Sequence, residues 1–466
     1  MTVFGRALCA LALSLSVLGT APRAQTALEM PGVVASAGGP ARPPSGAVTP
    51  AAVSALRPYF DPAQGASSTD LVRRALASNG ELAAARLDIE RARARLRQAG
   101  LRPNPTLDVE QTTGRLTGSA GESETSVGVS VPLEVGGQRR RRIDLARVEL
   151  EAAEAETADR ERRLAADVLG LYAEALAALR ELEITEGLTD LDTMTVTVVQ
   201  ARVNEGESAP IELNLLRVEV ERLRSRRALA EGRLQATLLR LKALAGVPAA
   251  EPLRLREELA NAALRRPPGS VEAAVEVALR TRPDLRLARL TEEVAEAGLR
   301  LARAQGSPEV TAFTRYTVSR GAFDDTPVGT LRDKDRLLTF GVSVGLPVFN
   351  KNQGTKAEAA AVIAQARSRR EFLESVVRSE VASAYARYEA ASKALVAYEQ
   401  GVIQRSNENV RVMRAAYELG HFSVTELLAE QRRLLDSQRD FTEALTEQYR
   451  ALADLRSAVG APTDQQ

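Results

Sequence analysis

Few residues in this chain are of the types that perform chemistry, and their spacing points away from catalysis. His421 is the only histidine and Cys9 the only cysteine among 466 residues. No cysteine pair, histidine cluster, P-loop, dinucleotide glycine motif or nucleophile elbow occurs, so no enzyme, cofactor or bound metal is expected. A lone imidazole is a solvated side chain far more often than a metal ligand. Ser423-Val424-Thr425-Glu426 fits a capping box, in which hydroxyl and carboxylate satisfy free amides at a helix start. Glu212 follows Pro210, where a carboxylate interacts favourably with a helix N-terminus. The arginine run at 139–142 is expected to face solvent or lipid headgroups. With 62 Lys plus Arg against 61 Asp plus Glu, the chain offers no electrostatic case for nucleic acid.

The elements that position these residues begin with an export signal. Residues 1–24 carry Arg6, an apolar run and a small-residue stretch ending at Ala24, the pattern of a signal peptide. Cys9 lies inside it and follows Leu8, where a lipoprotein cleavage site would need a small residue, so the mature chain is expected to lack cysteine and an N-terminal lipid. Residues 25–68, rich in Ala, Pro and Gly, read as a linker or loosely ordered arm. Beyond them no window approaches the roughly 20 apolar residues of a membrane helix, so a membrane role would have to use strands.

From Thr69 onward the chain is duplicated with a period of about 213 residues. Gly128-Val129-Ser130-Val131 recurs as Gly341-Val342-Ser343-Val344, and Tyr172-Ala173 as Tyr385-Ala386. The halves close on Gly246-Val247-Pro248 and Gly460-Ala461-Pro462, helix stops followed by proline. The reading is a first repeat at 69–248, a linker at 249–270, a second repeat at 271–462 and a tail at 463–466. Each repeat is expected to run short helix, strand, loop, strand, very long helix, tight turn, long helix.

Val127, Val129, Val131, Leu133 and Val135 alternate with small or polar residues, as do Leu338, Phe340, Val342, Val344, Leu346 and Val348, which is the period of a strand with two unlike faces. Weaker strands precede them near 106–113 and 309–318, joined by loops at 114–124 and 319–336 into hairpins. Proline-free stretches follow. In them Leu164, Val168, Leu171, Ala175, Ala178 and Leu182 step by three and four, and so do Val377, Val381, Ala384, Tyr388, Ala391 and Leu395, a coiled-coil-like seam. A helix over 138–204 would reach about 100 Å. Four strands with open edges call for closure by several protomers, and one apolar face beside one polar face suits a transmembrane barrel.

Together with the duplication, two strand-to-helix junction motifs, Pro132-Leu133-Glu134-Val135-Gly136-Gly137-Gln138-Arg139 and Leu346-Pro347-Val348-Phe349-Asn350-Lys351-Asn352-Gln353-Gly354, resemble the TolC family of outer-membrane efflux proteins over 69–462. The first motif is similar to the heavy-metal branch of cobalt-zinc-cadmium resistance channels. The resemblance implies a mixed fold, an all-α coiled-coil helical barrel plus transmembrane β-barrel strands, closed as a homotrimeric duct in outer-membrane lipid with a long periplasmic extension. It also implies docking on a periplasmic adaptor (membrane fusion) protein and an inner-membrane resistance-nodulation-division transporter. The passive cargo expected is heavy-metal cations, with drugs, organic solutes or secreted polypeptide as the other cargo reading and a non-conducting periplasmic scaffold as the other class.

The turns at Asn204-Glu205-Gly206 and Leu419-Gly420-His421 resemble the family's periplasmic tips, so Asn204, Gly206, Leu419, Gly420 and His421 are implied docking residues. Family members place acidic residues just after the second tip to ring the entrance. Glu426 matches the first such position and Glu212 is its repeat counterpart. The other position is Ala429, with Glu430 beside it. Gly136, Gly137, Asn350 and Gly354 are the implied junction residues.

Overall fold

The computed structural model describes residues 56–116, 122–261, 269–323 and 331–460. The expected signal peptide, most of the arm, the 463–466 tail and Pro462 lie outside the described residues. The first half runs α1 (Ser68–Ser78), α2 (Gly80–Ala99), β1 (Thr106–Thr113), β2 (Ser123–Leu133), α3 (Gln138–Asn204) and α4 (Pro210–Leu244). The second runs α5 (Val271–Thr281), α6 (Pro283–Gln305), β3 (Glu309–Phe323), β4 (Leu331–Gly345), α7 (Gln353–Ala397), α8 (Ile403–Glu418) and α9 (Val424–Val459).

Each half opens on two helices where one short helix was expected. The breaks fall at Asn79 and Arg282, both extended with ψ near 126°. Asn79 caps α2 by accepting the Leu82 amide at 3.0 Å. Arg282 precedes Pro283, whose ring disfavours helical backbone in the residue before it. The second half differs at a further point. A π-helical turn at Tyr398–Val402 separates α7 from α8, whereas the proline-free sequence predicts one uninterrupted helix. Gly401 lies within that turn, and glycine's weak helix preference eases the extra residue in.

α3 spans 67 residues, about 100 Å at 1.5 Å per residue. Its middle carries the main core. Leu169, Tyr172 and Leu176 are buried against Leu234 and Leu241 of α4 and against Phe441, Leu445 and Tyr449 of α9. Each fully buried leucine here contributes about 2 kcal/mol through apolar area removed from water. In the second half Val377 and Val381 of α7 pack with Ala274 and Ala278 of α5 and Leu455 of α9. Most seam positions are therefore buried, while Leu164, Leu171, Ala178 and Tyr388 are half-buried and pack against the core.

The last part of the proline-rich segment is packed, which corrects the reading of 25–68 as loose from Leu56 onward. Leu56 and Leu255 are both buried in the core, and Phe60 and Ala66 bridge to Leu255, so arm and linker close on each other. Gly65 permits this approach, because a Cβ there would sit 2.6 Å from the Leu255 carbonyl. The duplicated tyrosines do equivalent work. The Tyr172 hydroxyl donates to the Ala66 carbonyl at 3.3 Å and Tyr385 to Gly269 at 3.4 Å, each two residues ahead of its half's first helix.

The strands form one antiparallel sheet in the order β1-β2-β3-β4. Val127 pairs with Val109 on one side and Tyr316 on the other, and Tyr316 pairs with Leu338. Strands are longer and loops shorter than expected at the turn end, since β3 continues to Phe323 and β4 begins at Leu331. At the helix end Val135, Leu346 and Val348 fall outside the strands. There the amides of Val135 and Val348 turn back to Leu133 and Leu346, the same tight turn in both halves.

Candidate channel wall and entrance

The pairing register sorts the sheet into two faces. On one lie Leu107 and Val109 of β1, Val127, Val129 and Val131 of β2, Val310 and Tyr316 of β3, and Leu338, Phe340, Val342 and Val344 of β4. Most of these are exposed, Phe340 by 79%. The other face carries Asp108, Glu110, Glu124, Ser126, Ser130, Arg315 and Thr339. Ion pairing there is internal: Arg315 lies 3.5 Å from Glu110. Among the described residues, β1 and β4 each leave one edge without a strand partner.

Sheet and long helix meet at the glycine junctions. Gly137 adopts φ +74° at the N-cap of α3, a left-handed conformation that glycine takes without steric cost. Gly136 has no room for a side chain, because a Cβ would lie 2.5 Å from Ser307 Oγ. In the second half the left-handed position is Asn352, φ 60°, between the junction residues Asn350 and Gly354. Asparagine tolerates that region. The Asn350 side chain accepts from the Asn352 amide at 2.9 Å, and Asn352 in turn donates to the Ala302 carbonyl at 2.9 Å. Gly354 meets nothing within 4 Å and needs no glycine. The arginine run is partly structural: Arg139 donates to the Gly100 carbonyl at 2.7 Å, and Arg142 pairs with Glu134.

At the far end of α3 the two hairpin tips are built alike. Gly206 (φ +79°) and Gly420 (φ +78°) follow their helices. The next amides, of Glu207 and His421, return to the Arg202 and Ala416 carbonyls at 2.8 and 2.9 Å, the Schellman pattern that closes a helix on glycine. Arg202 also donates to the Glu418 carbonyl at 2.8 Å, tying one tip to the other. Val199, Leu213, Leu216, Tyr417, Val424 and Leu427 form a small apolar core behind them. Asn204, Leu419 and His421 are exposed.

The three candidate gate carboxylates fall into different settings. Glu426 is exposed and completes the capping box: it accepts the Ser423 amide at 2.8 Å, and this bond holds its carboxyl below the usual range. Glu212 is half-buried in the first turn of α4 and faces Tyr417. Burial, then the Glu212 charge, raises the Tyr417 phenol, whose hydroxyl has no hydrogen-bond partner. Glu430 is turned inward, its side chain 12% exposed, held by Arg433 at 3.0 Å and Asn409 at 3.1 Å.

A polar layer behind the tip core escaped sequence reasoning. Asp192 of α3, Glu219 of α4, Arg414 of α8 and Gln431 of α9 contribute one group per helix. Gln431 donates to Asp192 at 2.9 Å, and Arg432 to Glu219 at 2.8 Å. Burial pushes Asp192 up to about 6, while burial lowers the Arg414 guanidinium, whose Nε and one terminal nitrogen lack hydrogen bonds. The signal was available: continuing the α3 seam past Leu182 by threes and fours lands on Thr185, Thr189 and Asp192. The two threonines satisfy themselves by donating to carbonyls four residues back, at 2.7 Å each.

No helix among the described residues is long and apolar enough to cross a membrane, and no described cluster of His, Cys, Asp and Glu could hold a metal. A two-faced sheet with open edges, set on duplicated helical hairpins about 100 Å long, defines the protomer of a membrane duct. The chain belongs to the outer membrane efflux protein family, whose model matches residues 71–247 and 274–461. It is similar to the cobalt-zinc-cadmium resistance protein CzcC of Cupriavidus metallidurans, 24% identical over 88% of this chain and 97% of CzcC. It also resembles the pyoverdine export outer membrane protein OpmQ of Pseudomonas putida, 26% identical over 84% of this chain and 83% of OpmQ. A crystal structure of CusC shares the fold with a TM-score of 0.69, at 22% identity over 87% of this chain and 94% of CusC. Outer-membrane placement follows from the family.

Proposed function

We propose that the chain is the exit duct of a tripartite efflux system and passes heavy-metal cations to the exterior without catalysing any step. Three copies close their sheets into one barrel, and the paired helical hairpins continue it as a periplasmic tunnel. The observation that carries this reading is the sheet itself. Its apolar face is exposed and its two outer edges are open, an arrangement stable only once lipid covers the face and other copies cover the edges. The tips, with exposed Leu419 at one end of the bundle, dock on a periplasmic adaptor that links the duct to an energised inner-membrane transporter of the resistance-nodulation-division type.

Metal cargo is supported by the similarity to CzcC along nearly its whole length. The similarity to OpmQ favours an organic solute as the second reading. Glu426 and Glu212 flank the tips as exposed and half-exposed charges where the tunnel opens, and they act as the gate, while Glu430 supports the bundle from within.

Single-channel recording of the purified mature protein in planar bilayers tests duct and gate together. Discrete conducting steps, with cation selectivity reduced in Glu426→Ala and Glu212→Ala, are expected. A correctly inserted trimer that stays silent in both variants and with adaptor added would point to a scaffold instead. Cargo is read separately, from whether loss of the gene sensitises cells to cobalt, zinc or cadmium or to organic toxicants.

A further inference from the structure

The apolar face of the sheet ends abruptly toward the turn end. On β3 it runs from Val310 to Val318, nine residues, the length of a transmembrane strand at about 9–11. The next position on that face is Arg320. Directly opposite Arg320 on β4 is Lys334, and two residues further along β4, opposite Val318, is Arg336. All three cations are exposed, and no carboxylate among the described residues pairs with any of them. Like charges directly opposite on neighbouring strands are destabilising in water.

Acidic residues are close by but on the wrong side. Glu124, Ser319 and Asp335 form the adjacent row, and their side chains alternate onto the polar face, as does Asp333. The turn end thus separates charge by sign across the sheet, cations on the face continuous with the apolar band and anions on the inner one. A cationic cluster bordering an apolar band meets headgroups, not hydrocarbon.

We infer that Arg320, Lys334 and Arg336 form a site for the phosphate groups of membrane lipids in the leaflet at the turn end. The arginine forks hold a phosphate through paired hydrogen bonds, and Lys334 adds a point charge between them. This rests on the barrel reading, because only lipid around a closed barrel brings headgroups to that face. With each such cation strengthening attraction to anionic lipid about fivefold, three together give about 100-fold.

The test uses the full mature protein in phosphatidylcholine nanodiscs, with lipid A as the phosphorylated probe and its dephosphorylated form as control. Bound lipid is counted by native mass spectrometry. Wild type is expected to retain lipid A about 100-fold better than R320Q/K334Q/R336Q, to prefer it over the dephosphorylated form, and to lose it as salt is raised. The variant R320K/R336K keeps the charge but loses the forks, so it should bind lipid A more weakly than wild type and more tightly than the triple glutamine variant, and inorganic phosphate should not displace the lipid. Equal retention by wild type and the triple glutamine variant overturns the site, as does displacement by free phosphate. Parallel conductance separates the two readings: a wild type that conducts yet ignores the phosphate sinks this inference alone, and one that never inserts sinks both.

Discussion

Gln431 Nε2 donates to Asp192 Oδ1 at 2.9 Å across 239 positions of sequence, with both side chains buried. The bond fixes α9 against α3 just behind the tips, and it does so at an electrostatic cost, since burial pushes the Asp192 carboxyl up to about 6. The folded state therefore keeps a proton that the unfolded chain loses near its ordinary value of 3.8. Stability is unaffected below that value, falls as pH rises through the window between 3.8 and about 6, and carries the full cost above it. Asp192→Asn should raise the thermal midpoint at pH 7, by up to about 3 kcal/mol in stability, and flatten that slope. A slope unchanged in the variant would remove Asp192 as its source.

The tip glycine Gly206 and the junction glycine Gly354 make a contrasting pair. Gly206 holds φ +79° with open space around it, so Gly206→Ala pays only for the backbone, about 1 kcal/mol. Gly354 is helical and equally open, so Gly354→Ala should stabilise α7 by roughly 0.5–1 kcal/mol. Hydrogen exchange at the two sites reads both effects locally. Similar responses at both would contradict the conformational argument.

Facing in the sheet is testable by charge. Phe340→Arg places a cation on the apolar face and should cost roughly 2–4 kcal/mol of barrel stability, while Thr339→Arg, on the polar face, should cost little. The heat-induced dissociation temperature of the assembled protein is the readout. Equal losses would mean that the faces are misassigned.

The buried Arg282 is expected to be the most sensitive charge in the chain. It contacts Asp284 at 2.6 Å, Glu380 at 2.7 Å and the Ala458 carbonyl at 3.2 Å, joining α6, α7 and the end of α9. Arg282→Ala strands Asp284 in the interior and should destabilise by about 3–5 kcal/mol. Adding Asp284→Ala should recover part of the loss. A single variant as stable as wild type would show that water or Arg162, 3.9 Å from Asp284, takes over.

Much of the architecture was legible because it is written in local periodicities. Alternation by two at Val127–Val131 and Leu338–Val344 marks strand faces, steps of three and four from Leu164 mark the seam, and Ser423 with Glu426 marks a cap. Each depends on residues within a turn or two of one another, and each formed where the pattern placed it. The duplication was legible for the same reason, as the same local patterns written twice.

What only the tertiary structure decided concerns groups brought together from distant parts of the chain. Asp192 lies on the continuation of the α3 seam, but its partners Gln431 and Arg414 reach it only when α4, α8 and α9 enclose it. Asn352 takes the left-handed backbone that Gly137 takes in the first half, and Asn350 and Ala302 hold it there. The π-turn at Tyr398–Val402 has no proline to announce it, and the alignment of Arg320 with Lys334 exists only once strand register is set. By itself the sequence determined the helices, strands and caps, whose free energies are local. Burial, register and the pairing of charges depend on long-range packing, and so on the folded structure.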